Sequence, residues 1–358
     1  MKEYLSILER ILEEGVWDHN ERTRTNVLAI PSATFQFDMG NREFPLLTTK
    51  KLFPGIFKNE MDFFLKGKTD KNYLRDKGVH IWDLWASKLA TDHYDFNEET
   101  ASTDLEILDK KFELEYIKKG NKLELKANNP IIQQIKTIRD KARSHFKQTK
   151  TGYKINEFTD ETKNDLIAYA QIVERDLGPI YGWQWNHQGA SYMGMKRDYE
   201  GKGTDQLKMM EETLKTDPTS RRIKVVAWTP SDLESMALTP CHDQFQIQVI
   251  GDKLHLNWGQ RSVDAPVGLP YNIAFYGGIL ASLANIHGYK PGMLTGELSN
   301  THIYENQMEA VEEQLKRKPS KLPTWKVHEM KSIKDFTPEK LEIIGYEPQE
   351  KIKMKVAQ

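Results

Sequence analysis

Apolar residues recur every three or four positions over 4–14, with Leu5, Leu8, Ile11 and Leu12 on one face. That spacing predicts an amphipathic helix. Alternation then takes over, and Val27 to Ile30 and Ala33 to Phe37 read as two paired strands around a Pro31-Ser32 turn. Ile56 to Lys66 returns to helical spacing and stops at Gly67, a C-cap signal. In HIWDLWA, Trp82 and Trp85 stand three apart, on one side of a predicted helical turn. From 86 to 175 the pattern is polar and charged, with helical stretches over 105–119 and 131–146 and little strand alternation. This predicts a small helical lobe inserted into one domain that spans 1–358. DLGPIYGWQW (176–185) reads as a loop and strand, 206–215 as a helix and 223–228 as a strand. Phe245–Ile250 and Leu254–Trp258 form a predicted hairpin around Gly251-Asp252. Asn272 to Ile286 is apolar on nearly all sides and predicts a buried central helix. A strand over 293–299 and an amphipathic helix over 304–316 follow. Strands and long helices do not alternate regularly, so the expected class is α+β, a mixed β-sheet packed against long helices.

Composition removes several function classes. The 358 residues can bury a sizeable core. Lys and Arg number 51 against 52 Asp and Glu, so a net charge of −1 gives no global attraction to nucleic acid or anionic membrane. The Lys-rich stretches over 110–126 and 136–154 would be the only footing for an RNA-binding reading, and they read as solvated surface. No apolar run reaches the length that spans a bilayer. The N-terminal MKEYLSILERILEEGVW lacks the apolar block of a signal peptide, so a cytoplasmic protein is expected. One cysteine excludes an internal disulfide and thiolate-rich metal sites, and the histidines lack helical ligand spacing, so no metal is expected.

That cysteine, Cys241, carries the candidate chemistry. A lone cysteine is more often an inert buried residue than a nucleophile. Its neighbours change the picture: Pro240 fixes the backbone before it, His242 is adjacent, and Arg221, Arg222 and Arg261 offer positive charge that favours a thiolate. A thiolate is suited to adding to a conjugated carbon such as C6 of a uracil ring. Several arginines beside a reactive thiol also suggest a phosphate, which guanidinium groups grip with two donors. Asn272 offers the donor and acceptor needed to read an O4/N3–H edge. Glu60, within an apolar helix, is either a solvated charge or a cleft carboxylate able to relay protons. Trp82 and Trp85 are either core or the wall of a pocket for a flat ring.

Taken together, PCH followed by QFQ, QRSVDAPVGLPYNI, THIY, DPTSRRI, IWDLWA, DLGPIYG, ERTRT, FPLLTTK and GYEP near the end resemble the motifs of the thymidylate synthase family, in order and on both sides of the insertion. The resemblance implies that fold and a one-carbon transfer from 5,10-methylenetetrahydrofolate to dUMP, without a metal. It implies Cys241 as nucleophile and Arg22, Arg261 and Ser262 as phosphate ligands. Arg221 and Arg222 would reach the neighbouring subunit's site in a homodimer. Asn272 would read the pyrimidine edge, where relatives acting on cytosine nucleotides carry Asp. His302 and Tyr304 would bind the ribose 3′-hydroxyl, and Glu60 would relay protons. Tyr181 would order water, and Trp82, Trp85, Asp264 and Gly268 would contact the folate. Ala357 would belong to a closing lid.

The implied mechanism adds Cys241 to C6 of dUMP. The C5 enolate then takes the folate methylene, and hydride from the folate completes a methyl group. Water in place of hydride would give a hydroxymethyl product, as in the family's hydroxymethylases; the retained Trp82 favours methylation, whereas polar substitutions favour the other branch. A third reading is a non-catalytic nucleotide- or RNA-binding homologue, which the intact set of site residues opposes. Departures from the family pattern are Arg24 for glycine, Phe53 for histidine, Gly259 for tyrosine, Ser299-Asn300 for Gly-Asp, and the polar Asp243 and Gln244 after the cysteine.

Overall fold

The structure is a computed structural model and describes residues 1–21, 25–118 and 130–354. Its first elements are α1 (Lys2–Glu14), β1 (Val16–Asn20), β2 (Thr25–Asp38), α2 (Pro54–Leu65), α3 (Asn72–Arg75), α4 (Lys88–Thr91) and α5 (Ala101–Phe112). Next come α6 (Pro130–Ser144), β3 (Phe146–Thr149), β4 (Gly152–Ile155), α7 (Asp160–Val173), α8 (Tyr181–His187), α9 (Gln206–Thr216) and β5 (Lys224–Val226). The chain continues through β6 (His242–Ile250), β7 (Lys253–Gln260), β8 (Val263–Asp264), α10 (Gly268–His287) and β9 (Lys290–Tyr304). It closes with α11 (Met308–Lys316), β10 (Thr324–Val327) and β11 (Leu341–Ile344). The class is α+β, as expected.

One sheet organises the molecule, in the order β1-β2-β9-β7-β6-β5, with β8 paired to β9. β7 and β8 run parallel to β9, while β1/β2, β2/β9, β6/β7 and β5/β6 are antiparallel, so the sheet is mixed. The pleat sorts residues by face. Along β7, Leu254, Leu256 and Trp258 are buried while His255 and Asn257 alternate onto a partly exposed face. The central helix α10 is buried over most of its length, which explains the absence of a polar stripe in its sequence. It packs on α2 at Gly278, where a β-carbon would lie 3.0 Å from Met61 Sδ.

Several expected elements are corrected. Pro31-Ser32 is not a turn: β2 is a single strand of 14 residues that pairs with β9 on both sides of the proline. β1 pairs only with Thr25 to Ala29, so Pro31 stands where β2 has become an edge, and its missing N–H costs no ladder bond to β1. HIWDLWA forms consecutive turns over 81–84 rather than a helix. DLGPIYGWQW forms a loop and the helix α8, because burial against α2 overrides the strand preference of its aromatics. Gly182 makes that packing possible, since a β-carbon there would lie 2.2 Å from the Phe64 carbonyl oxygen. The expected helix over 304–316 starts only at Met308, with Tyr304 ending β9.

A second hydrophobic core, distinct from that of the sheet, is built from Leu84, Leu105, Leu108, Phe112, Leu166 and Tyr169 among others. It joins α5, α6 and α7, and it includes an antiparallel β3/β4 hairpin that the polar pattern of the segment conceals.

Candidate active site

Cys241 lies at the lip of the sheet, immediately before β6, and is half-buried. Its backbone is clamped from both sides. Its N–H donates to the Tyr181 hydroxyl at 2.7 Å, and its carbonyl accepts from the Arg261 N–H at 2.8 Å. The Arg261 side chain grips the same loop upstream. Nε donates to the Pro240 carbonyl at 2.8 Å, and Nη2 to the Thr239 carbonyl and hydroxyl at 3.1 and 2.6 Å. His242 turns inward, with Nδ1 2.7 Å from the Tyr276 hydroxyl. Burial pushes its pKa down to about 3. This imidazole is therefore neutral at pH 7 and adds no positive charge beside the thiol.

Tyr181 links the cysteine to Glu60. Its ring stacks on Phe64 at 4.7 Å and meets Trp82 edge-on at 5.9 Å. Trp82, 6 % exposed, donates its indole N–H to Glu60 Oε1 at 2.9 Å. Burial raises the Glu60 carboxyl to about 7, and the Trp82 hydrogen bond opposes that rise. Glu60 as a residue keeps some solvent exposure, although protein surrounds its carboxyl. A carboxylic acid that titrates near neutrality can both give and take a proton at working pH. Trp85 packs edge-on against Trp82 at 6.4 Å.

Asn272, in the second turn of α10, donates from Nδ2 to Gln260 Oε1 at 3.1 Å. Gln260 is held in turn by Trp258 Nε1 at 3.3 Å and by its own bond to the Ser262 carbonyl at 3.1 Å. This chain of bonds fixes which way the Asn272 amide points. Asp264, on β8, accepts from the Val267 N–H at 3.1 Å just before Gly268 opens α10. Burial raises its pKa. Its register partner is His302 on β9. His302 Nδ1 lies 2.8 Å from the Asn300 carbonyl and 2.9 Å from Asn300 Oδ1, so Nδ1 carries the proton. Tyr304 follows on the same strand and is buried.

A cavity of ≈620 Å³ opens alongside, and Cys241 is not among its lining residues. Its apolar wall includes Ile81, Tyr271 and Ile352, and its rim carries Lys51, Lys351 and Lys353. Ile81 and Tyr271 directly precede Trp82 and Asn272, so the same two chain segments serve both places. Lys50, 4 % exposed, donates to the Pro266 carbonyl and, at 3.2 Å, to Met354 Sδ. Burial lowers its pKa to about 7, with Asp264 pulling the other way.

The thymidylate synthase family model matches residues 2–358. The chain belongs to the thymidylate synthase family. It is 35 % identical over 358 residues to a thymidylate synthase of Mycoplasma mobile, covering 100 % of both chains. It is 33 % identical over 356 residues to human thymidylate synthase, covering 99 % of this chain and 90 % of the relative. To the bifunctional dihydrofolate reductase-thymidylate synthase of Zea mays it is 32 % identical over 356 residues, 99 % of this chain. It spans 54 % of that longer protein.

Set against the family pattern, two departures have local causes. Gly259 pairs with Gln244, and a β-carbon at Gly259 would lie 3.0 Å from Gln244 Nε2, so the glutamine side chain fills that volume. Asn300 adopts φ 42, a left-handed conformation that asparagine tolerates, and both its oxygens face His302. Phe53 lies on the cavity rim, with the Lys51 ammonium 5.8 Å from its ring centre.

The structure thus gathers Cys241, Tyr181, Trp82 and Glu60 into one line of contacts, and Asn272, Asp264 and His302 on neighbouring elements. Arg261 binds the cysteine loop's backbone, and Ser262 lends its carbonyl to Gln260. Arg221 and Arg222 stand exposed before the edge strand β5, without an ion-pair partner among the described residues. The Arg221 carbonyl accepts from Gln246 Nε2 at 3.4 Å, five residues along from Cys241. Arg22, Arg24 and Ala357 lie outside the described residues. Sequence reasoning missed Gln260, Tyr276 and Lys50. Tyr276 shows no signal without its partner, whereas Gln260 and Lys50 stand inside the QRSVDAPVGLPYNI and FPLLTTK motifs. Among the described residues no helix is long and apolar enough to cross a membrane.

Proposed function

We propose that the protein is a thymidylate synthase that converts dUMP to dTMP with 5,10-methylenetetrahydrofolate. The observation that carries this reading is the line from Cys241 through Tyr181 and Trp82 to Glu60, a nucleophile and a near-neutral acid joined across one cleft. In this reading the Cys241 sulfur bonds to C6 of dUMP, and Asn272, oriented by Gln260, supports the charge that moves onto the pyrimidine oxygen. C5 bonds to the folate methylene, and Glu60 carries protons as the C5 proton leaves and the folate nitrogen departs. Hydride from the folate reduces the exocyclic methylene, the sulfur is expelled, and dTMP and dihydrofolate result. Buried Trp82 keeps water from the methylene, which favours hydride over hydroxide. The cavity suits the co-substrate: Ile81 and Tyr271 can flank flat rings, and Lys51, Lys351 and Lys353 can meet glutamate carboxylates.

Arg22, Arg261 and Ser262 belong to the phosphate end, and His302 and Tyr304 to the ribose. Trp85, Asp264, Gly268 and Ala357 belong to the folate side. Arg221 and Arg222, exposed and without an ion-pair partner among the described residues, favour a homodimer in which they reach the neighbouring phosphate. We read the chain as one catalytic domain with 86–175 as an inserted lobe, working in the cytoplasm. Product identification tests the reaction. Incubation with dUMP and methylenetetrahydrofolate should give a methylated nucleotide and the absorbance of dihydrofolate. A hydroxymethylated nucleotide with tetrahydrofolate would make the protein a hydroxymethylase, and no nucleotide product would leave a binding protein.

A further inference from the structure

Between the two hydrophobic cores runs a cluster of charged side chains that the site above does not use. Lys71, Arg75 and Asp83 are 0, 3 and 1 % exposed. Arg75 Nε donates to Asp83 Oδ1 at 2.6 Å, and the other Asp83 oxygen lies 2.7 Å from His80 Nδ1. Lys71 Nζ donates to the carbonyls of Asp83 and Trp85 at 3.1 and 2.8 Å. Both cations therefore hold the run of turns that carries Trp82, one by side chain and one by backbone.

Their remaining donors cross into the second core. Lys71 Nζ also donates to the Gln171 carbonyl at 2.6 Å, and Arg75 Nη2 to the Ile172 carbonyl at 2.7 Å. Those carbonyls lie in the last turn of α7, where helix geometry leaves acceptors unpaired and the helix dipole favours positive charge. Arg75 also donates to the Tyr116 hydroxyl and to Asn72 Oδ1, and Asn72 Nδ2 donates to Glu115 Oε2 at 2.7 Å. Three carbonyl and carboxylate acceptors around each cation favour the charged forms; at Lys71 they work against burial and the neighbouring Arg75, which push its pKa down. Burying charged groups costs several kcal/mol per ion, and apolar replacements would often be as stable, so such a cluster is better explained by the position it enforces than by stability.

We propose that Lys71 and Arg75 are positioning residues through which the 86–175 segment fixes the Trp82 turn and so the hydrogen bond from Trp82 to Glu60. The segment is then a working part of the catalytic cleft. The catalytic consequence rests on the function proposed above, whereas the geometric one does not.

Fluorine-19 NMR of the full-length protein labelled with 5-fluorotryptophan tests it. The Trp82 signal, assigned by its loss in Trp82→Phe, should titrate with a midpoint near 7 as Glu60 ionises. In Arg75→Met the weakened indole bond should make Glu60 about tenfold less acidic, moving the midpoint up by about one pH unit. Arg75→Lys should bring it back toward wild type. An unmoved midpoint in a folded Arg75→Met protein would overturn the proposal. Should Arg75→Met fail to fold, Tyr116→Phe, which removes one acceptor from the second core, decides by the same criterion. In turnover, Arg75→Met should lose about 10- to 100-fold in kcat/KM for the folate while dUMP affinity holds, the loss expected of a misplaced wall. A wild-type protein that makes no product from dUMP would refute the proposed function yet leave the titration to judge the positioning.

Discussion

Glu60→Gln separates the energetic cost of the Glu60 environment from its use. Burial lifts this carboxyl from 4.5 to about 7 in the folded chain, so the folded state keeps a proton that the unfolded state has already released. Stability is then fully present below about pH 4.5 and is lost as pH rises through the folded value. At about 1.4 kcal/mol for each tenfold in acidity, the rise amounts to about 3 kcal/mol. Glu60 as a whole residue is only half-buried, and solvent screening reduces this to about 2 kcal/mol. Glutamine keeps the shape and an acceptor for Trp82 but does not ionise. Urea unfolding of both proteins at equal concentration, at about pH 5 and about pH 8, should show the mutant gaining about 2 kcal/mol on wild type between the two conditions. Lys50, His242 and Asp264 titrate in both proteins and cancel in the difference. The mutant should meanwhile lose about 10²- to 10⁴-fold in turnover, the usual worth of a positioned proton carrier. A difference that stays constant with pH would refute the buried-carboxyl argument, whatever happens to activity.

Three further outcomes are expected. Wild-type protein given 5-fluoro-dUMP and methylenetetrahydrofolate should yield a covalent adduct on the peptide containing Cys241, and Cys241→Ser should yield none; mass spectrometry of the digests decides. Asn272→Asp should move preference from dUMP toward dCMP by about 10- to 100-fold, because a mispaired buried edge costs 1–3 kcal/mol; unchanged selectivity in competition assays would remove the reason for assigning uracil. Mixing Arg221→Ala with Cys241→Ser should recover activity, up to about a quarter of wild type if subunits exchange at random, because hybrid dimers would hold one intact site; no recovery would contradict shared sites.

How far the chain could be read from its letters depended on how local each cause was. The helix over 2–14 and the β6/β7 hairpin carry their period and turn within a short window, and both formed as expected. The burial of α10 was legible because no face of it is polar. Pro31 misled because its effect depends on where β1 stops, and DLGPIYGWQW misled because α8 forms against Phe64 rather than from its own preferences. The same holds at the site. Cys241 and Asn272 stand in motifs, and Glu60 interrupts an apolar helical pattern. The Tyr276 hydroxyl that meets His242 lies 34 residues away, and the carbonyl that takes Lys50 lies 216 away. Such pairings exist only once the sheet has formed.

The straight run of β2 past Pro31 has a consequence for how the molecule keeps to itself in a crowded solution. Beyond Ala29 the strand has lost β1, and a bare margin of this kind invites another chain to add on. Pro31, the second position past Ala29, offers no amide hydrogen to that margin. A stray peptide docking there would find no donor where its own carbonyl must pair. One ordinary residue thus protects the free flank of β2 against runaway stacking.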